Sequence, residues 1–195
     1  IKDKKAVHSS LGAEFFIDNY KKMEGNGKKN YDEYSNEHPV VRTHPETGKK
    51  IFGICFGHQI IALALGAKVE KSDKGWGVGI ANNTLIQGAD GLGPVNTALN
   101  LLVSHQDQVI ELPKEAEVVA QSEFCPNFLV QWNHNTVSVQ GHPEWVKGYS
   151  EALMVHRKDI IPETVLSNGI ASLRQDLDNA HFVRYLFRFF KIKEN

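Results

Sequence analysis

Ile51-Phe-Gly-Ile-Cys-Phe-Gly-His-Gln-Ile-Ile-Ala-Leu-Ala-Leu-Gly66 constrains this chain more than any other stretch. Ile51 to Ile54 is a short apolar run, the signature of a buried strand. It stops at Cys55, which has Gly53 and Gly57 on either side. Beyond Gly57 the pattern turns helical, with apolar residues at Ile60, Ile61, Leu63, Ala64 and Leu65, and Gly66 ends it. A strand, a tight turn bearing a nucleophilic side chain and a helix make up a nucleophile elbow. Glycines at 53 and 57 suit such a turn, where helix and strand pack closely. The N–H groups at a helix N-terminus stabilise an anion beside them. The alternative for Cys55 is a packed core cysteine.

A cysteine nucleophile needs a base within hydrogen-bond reach, and the base needs an acceptor to orient it. Val139-Gln-Gly-His-Pro-Glu-Trp145 supplies both at the end of a strand-like run from Thr136 to Gln140. His142 and Glu144 are two residues apart, and in extended chain such residues share a side. Cys125, in Ser122-Glu-Phe-Cys-Pro126, has no flanking glycine and no helix after it, so it reads as a packed loop cysteine and the weaker nucleophile candidate.

Taken together, Gly-Ile-Cys55-Phe-Gly-His-Gln59 and Gly-His142-Pro-Glu144 resemble the class I glutamine amidotransferase family, and within it the stand-alone γ-glutamyl hydrolase or peptidase-like members. Lys74-Gly-Trp-Gly-Val-Gly79, Ser104-His-Gln-Asp-Gln-Val109 and Tyr149-Ser-Glu-Ala-Leu-Met154 fit the same subgroup, so the resemblance covers about residues 50–190. It implies an α/β fold with flavodoxin-like layers, and a Cys55–His142–Glu144 triad that hydrolyses a γ-glutamyl amide through a thioester. It also implies that Gln59 helps bind the glutamyl group, that the Ser104-His105-Gln106 backbone lies near its α-amino and carboxylate end, and that Phe56 N–H is one oxyanion donor. The family's second donor comes from a Gly-rich turn before the elbow. Upstream of Cys55 this chain offers only Gly25-Asn-Gly27 in a charged loop, so impaired catalysis is one expectation.

Residues 1–50 have a different texture, rich in Lys, Asn, Glu and Gly, and are set apart as an atypical N-terminal segment before a domain at 51–195. Ala6-Val-His-Ser-Ser10 and His38-Pro-Val-Val-Arg-Thr-His-Pro-Glu-Thr-Gly48 resemble a segment of the taurine or sulfonate dioxygenase family, which uses iron and 2-oxoglutarate. That family's His-x-Asp iron pair does not occur in residues 1–50. His38 and His44 therefore read as solvated loop histidines, and neither a metal nor a cofactor is expected.

Strand-like and helix-like pieces alternate from Ile51 onward. Ala67 to Glu70 and Gly77 to Ile86 read as strands, with a turn at Asn82-Asn83. Leu99 to Val103, Ala116 to Gln121, Phe128 to Trp132 and Thr136 to Gln140 read as further strands, with Asn133-His-Asn135 as a hairpin turn. Trp145 to Arg157 reads as a helix. Pro162 suits the first turn of another, and Leu173 to Phe190 reads as an amphipathic helix whose phenylalanines pack the core. Alternation of this kind implies an α/β layer with a mostly parallel sheet, whose site lies at the carboxyl ends of strands.

Composition excludes several classes of function. A formal net charge of −1 over 195 residues gives no electrostatic case for nucleic acid. No apolar run reaches the roughly 20 residues of a membrane helix, and nothing resembles a signal peptide. Two cysteines argue for a reducing compartment, so the expected location is cytoplasmic. The chain opens at Ile1 rather than Met. Because no synthetase domain follows residue 195, a self-contained hydrolase is favoured over a subunit that delivers ammonia to a synthetase partner. A homo-oligomer and a catalytically impaired domain of the same fold remain open.

Overall fold

The structure, a computed structural model, describes residues 50–191. Strand β1 (Ile51–Ile54) enters the turn at Cys55, and helix α1 (Phe56–Ala64) leaves it at once. Gly66 closes α1 in the left-handed region, at φ 84°, where a residue without Cβ fits at least cost. Strands β2 (Lys68–Lys71), β3 (Gly77–Leu85), β4 (Ala98–His105), β5 (Asp107–Glu111), β6 (Glu117–Gln121), β7 (Leu129–Asn133) and β8 (Thr136–Val139) follow. Helices α2 (Lys147–His156), α3 (Glu163–Ser172) and α4 (Asn179–Phe190) complete the described chain.

Six strands form one sheet in the order β1-β8-β7-β6-β3-β4, and β2 pairs with β5 in a separate ribbon. The α/β class expected from the sequence holds, but the sheet is mixed. Among the described pairs only β1–β8 is parallel. The cause lies in the connections: parallel neighbours need a crossover of a dozen or more residues, and the short links between β6, β7 and β8 permit only antiparallel return. The sheet also curls. Leu102 of β4 bridges to His142, just past β8, so two strands far apart in the sheet order meet at one end.

Two apolar layers cover the sheet. On one face Phe52, Leu101, Val103, Leu129, Val137 and Val139 pack with Phe182 and Tyr185 of α4. On the other, Ile51, Val130 and Trp132 pack with Ile61 and Ala62 of α1. Neighbouring residues 51 and 52, or 129 and 130, fall in opposite layers because successive side chains alternate across a strand. Each large apolar side chain fully buried here contributes about 1.5–3 kcal/mol.

Three sequence expectations need correction. Asn82 and Asn83 do not turn; β3 runs through both, paired to Asn100 and Leu99. Asn83 is buried, and its amide nitrogen donates to the Leu99 and Ala81 carbonyls, which offsets part of the cost of an asparagine in a strand interior. The helix expected from Leu173 begins only at Asn179, because α3 ends at Ser172 and Asp178 instead accepts a hydrogen bond from Asn100 N–H at 2.7 Å. Gly57 has open space around its Cα, so close packing at the elbow falls on Gly53 alone. The segment before Lys50, including Gly25, Gly27, His38 and His44, lies outside the described residues.

Candidate functional site

The site follows from the parallel register of β1 and β8. Ile54 pairs with Val139, and Cys55 N–H donates to the Val139 carbonyl at 2.8 Å. The residues that leave the carboxyl ends of these two strands, Cys55 from one and Gln140 onward from the other, therefore start side by side, since neighbouring strands lie about 4.8 Å apart. Cys55 has φ 48° and ψ −99°, an uncommon conformation for a residue with a Cβ. Such strain persists only where surrounding structure enforces it. Here β1, α1 and the Val139 bond do so, and they hold the thiol at the head of α1.

His142 is held from a third direction. Its N–H donates to the Leu102 carbonyl of β4 at 2.7 Å. Gly141 makes this approach possible, because a Cβ there would stand 2.7 Å from Phe128 Cζ and 3.0 Å from Leu101 Cβ. The Cys55 side chain lies near enough to the imidazole to raise its pKa, and the imidazole Nδ1–H donates to Glu144 Oε1 at 2.7 Å. Trp145 stacks on the ring, with centroids 3.5 Å apart and planes 8° from parallel. Burial alone would lower the pKa of His142. The interactions with Cys55 and Glu144 outweigh it and push the value up to about 9.

Gln59 and Gln140 lie buried beneath the sulfur. Gln59 Nε2 donates to the Asp107 carbonyl at 2.8 Å and to Gln140 Oε1 at 3.2 Å. Gln140 Nε2 in turn donates to Cys55 Sγ at 3.4 Å. His58 is wholly buried. Its Nδ1 lies 2.6 Å from Ser138 Oγ, which also accepts from Trp132 Nε1 at 2.6 Å. Burial, followed by repulsion from His105, pushes His58 down to about 3, so the ring is neutral.

Phe56 opens α1 directly after the cysteine. His105 closes β4 with its ring edge-on to Phe124 at 5.9 Å. The Gln106 carbonyl accepts from Ser72 N–H at 2.8 Å. The Ser104 side chain lies elsewhere, as alternation along β4 requires: its hydroxyl accepts from Arg157 Nη1 at 2.8 Å. The same guanidinium sits 5.9 Å from the Trp76 ring centre. Cys125 is buried, and burial pushes its thiol up to about 12, which keeps it protonated and a poor nucleophile. A cavity of about 350 Å³ beside β2 and β5 is lined by Ser72, Gln108 and Phe124 but by none of Cys55, His142 and Glu144. Among the described residues no group of three His, Cys, Asp or Glu side chains could hold a metal ion.

Sequence reasoning did not single out Gln140, Trp145, Arg157 or His58. Gln140 and Trp145 left a signal in their place on either side of the Gly141-His-Pro-Glu144 run, and His58 in its place inside the Cys55-Phe-Gly-His-Gln59 run; Arg157 left none.

The family model for class I glutamine amidotransferases matches residues 22–160, and the chain belongs to this family. γ-Glutamyl peptidase 2 of Arabidopsis thaliana is 33% identical over 134 residues, which span 65% of this chain and 53% of that protein. The glutamine-hydrolysing GMP synthase of Aeromonas salmonicida is 30% identical over 148 residues, 67% of this chain and 28% of that protein. The chain thus spans about half or less of the length of the curated relatives it matches. A glutamine amidotransferase structure from Thermotoga maritima superposes with a TM-score of 0.60 at 21% identity, covering 83% of this chain and 69% of that one, a likeness of fold. The dioxygenase resemblance of residues 1–50 is not shown by these matches, and the amidotransferase match reaches back into that segment, to residue 22. No helix among the described residues is long and apolar enough to cross a membrane.

Proposed function

We propose that this chain hydrolyses a γ-glutamyl amide, either glutamine or a γ-glutamyl peptide, with Cys55 as nucleophile, His142 as acid and base, and Glu144 as the group that orients the imidazole. The observation that carries this reading is the linked set at the elbow. Cys55 stands strained at the head of α1, His142 lies beside it with its pKa raised by that side chain and by Glu144, and Glu144 Oε1 lies 2.7 Å from Nδ1 of the ring. With Nδ1 committed to Glu144, Nε2 is the nitrogen that moves the proton.

In the first step the Cys55 thiolate attacks the side-chain carbonyl carbon of the substrate. Its π electrons move to oxygen and form the oxyanion, toward which Phe56 N–H, first in α1, is the assigned donor. When the tetrahedral species collapses, the C–N bond breaks, the imidazolium of His142 gives its proton to the departing nitrogen, and a thioester remains. Water then attacks the thioester carbonyl while His142 takes a proton from it. The C–S bond breaks, and glutamate and the thiolate are regenerated. Gln59 and the Ser104-His105-Gln106 backbone at the end of β4 are the proposed glutamyl-binding residues. Buried as it is, Gln59 acts through the floor of the site.

The names of the relatives favour hydrolysis of γ-glutamyl compounds: the peptidases match at 33–37% identity. A second reading, delivery of ammonia to a synthetase partner, draws on the match to GMP synthase. The two separate by release of ammonia from glutamine and of amine from glutathione, each with and without a candidate synthetase. Turnover by the chain alone that disappears in Cys55→Ser supports hydrolysis. Folded protein that releases nothing, and whose Cys55 is not labelled by a diazo-ketone analogue of glutamine, would refute both readings.

A further inference from the structure

We propose that Gln140 is a further catalytic residue of this site, its side-chain amide donating a hydrogen bond to Cys55 Sγ and holding the sulfur as the thiolate. The role rests on the reading of Cys55 as nucleophile.

The amide's orientation follows from its neighbours. Side-chain amide oxygen and nitrogen are usually told apart only through the hydrogen bonds they make. The Asp107 carbonyl can only accept, so the Gln59 atom facing it at 2.8 Å is the NH2 group. That same NH2 needs an acceptor 3.2 Å away on Gln140, which is therefore Oε1. The remaining end of Gln140, 3.4 Å from Cys55 Sγ, must be the donor. The chain from Asp107 through Gln59 and Gln140 to the sulfur thus has one polarity, and that polarity delivers an N–H to Cys55.

An N–H aimed at sulfur favours the thiolate, which only accepts, over the thiol, which also needs an acceptor for its own hydrogen. Gln140 is wholly buried, so water cannot replace this bond at low cost. Its backbone is fixed as well, with Gln140 N–H donating to the Phe128 carbonyl at 2.8 Å. Being uncharged, it can support the thiolate without competing for His142's proton. The titratable groups that bear on the sulfur are His142, Glu144 behind it, and Cys125 from the loop before β7. Cys125 stays protonated up to about 12 and does not change charge in the working range.

The test is alkylation of Cys55 by iodoacetamide, followed by mass spectrometry, in wild type and in Gln140→Met. It needs no substrate. A hydrogen bond to a charged group shifts a population by about tenfold or more. Gln140→Met should therefore cut the alkylation rate about tenfold at pH 6.5 and by less than twofold at pH 10, where thiols are deprotonated without help. A folded variant alkylated at the wild-type rate at both pH values overturns the proposal, as does one slowed equally at both, which marks a packing role. Should Gln140→Met not fold, Gln59→Met removes the anchor of Oε1 while leaving the sulfur untouched. It should give the same pH-selective loss, and no loss overturns the proposal. A pH-selective loss in a protein that turns over no γ-glutamyl substrate would keep Gln140 in this role and discard the hydrolase reading. Turnover that needs Cys55, with no pH-selective loss, would do the reverse.

Discussion

Gly53→Ala isolates the contact that sets the elbow. Gly53 precedes Cys55 by two residues, and a Cβ added there would stand 2.7 Å from the Gly57 carbonyl oxygen and 2.5 Å from Ile61 Cδ1. The methyl of Ile61 can rotate away. The carbonyl cannot, since it belongs to the backbone of the first turn of α1. Bringing that contact from 2.7 Å to the 3.4 Å of ordinary packing moves α1 outward from β1 by about 0.7 Å. Overpacking of this kind costs about 1–3 kcal/mol. At about 2–4 °C per kcal/mol for a chain of this size, the melting midpoint should drop by about 2–12 °C. The catalytic effect should be larger than the stability effect. Cys55 joins β1 to α1, so an outward shift of α1 changes the turn that aims its thiol, whereas His142 stays tied to β4 through the Leu102 carbonyl. Misplacement on the scale of 1 Å costs about a hundredfold in rate. The assay pairs thermal unfolding by circular dichroism with glutamine and glutathione hydrolysis. Gly57→Ala is the control, since nothing lies within 4 Å of a Cβ there; it should be neutral or slightly stabilising. Equal stability and turnover in Gly53→Ala and wild type would refute the claim that this approach positions the sulfur.

Three further outcomes are expected. The folded state holds His142 at about 9, above the usual 6.5, so its contribution to stability is complete below about pH 6.5 and fades as the pH rises through 9. Urea midpoints of wild type and His142→Gln should accordingly differ most near pH 6 and converge by about pH 10. His58 has the opposite sign: held near 3, it leaves stability intact above 6.5 and removes it as the pH falls from there through about 3. His58→Gln should therefore unfold at lower pH than wild type in an acid titration, if it tolerates the loss of the Ser138 contact. Trp145→Ala removes the ring stacked 3.5 Å from His142. A cation over an aromatic face is worth about 0.5–2 kcal/mol, so the NMR titration midpoint of His142 should fall by about one unit, with kcat reduced about tenfold and KM little changed.

The elbow was legible because its geometry is local. A strand, one residue and a helix can be recognised from apolar periodicity and flanking glycines within sixteen positions, and β1 and α1 appear where the pattern puts them. His142 and Glu144 were legible for a similar reason, since a two-residue spacing after a strand survives folding. What the sequence hid is whatever depends on which strands become neighbours. The antiparallel run of β6, β7 and β8 follows from loop lengths that an α/β pattern does not weigh. Strand β5 went unseen because Asp107-Gln-Val-Ile-Glu111 is short and polar, and the contacts that hold it, the pairing with β2 and the Gln59 and Asn127 side-chain donors, come from far along the chain. Asn82 and Asn83 looked like a turn because asparagine favours one; the Leu99 carbonyl that overrides this preference arrives from sixteen residues away.

Gln140 shows the same limit most sharply. In sequence it is a polar residue ending a strand, and its place beside the Gly141-His-Pro-Glu144 run does not say what it touches. Its meaning comes from two partners, Gln59 and Cys55, that lie 81 and 85 positions away in the chain. Both partners lie on the opening turn of α1 and the residue before it, and that turn is brought to β8 by a single parallel pairing. The register of that pairing, Ile54 with Val139, therefore controls the whole floor of the site. A slip of one residue would turn the Gln140 side chain to the other face of the sheet and take its Oε1 away from Gln59. The apolar layers guard against the slip. Ile51 and Phe52 are buried in opposite layers, and so are Leu129 and Val130. A shifted strand would exchange their places, putting Phe52 into space fitted to Ile51. The bulk of the core thereby fixes the register, and the register fixes the polar chain that ends at the sulfur.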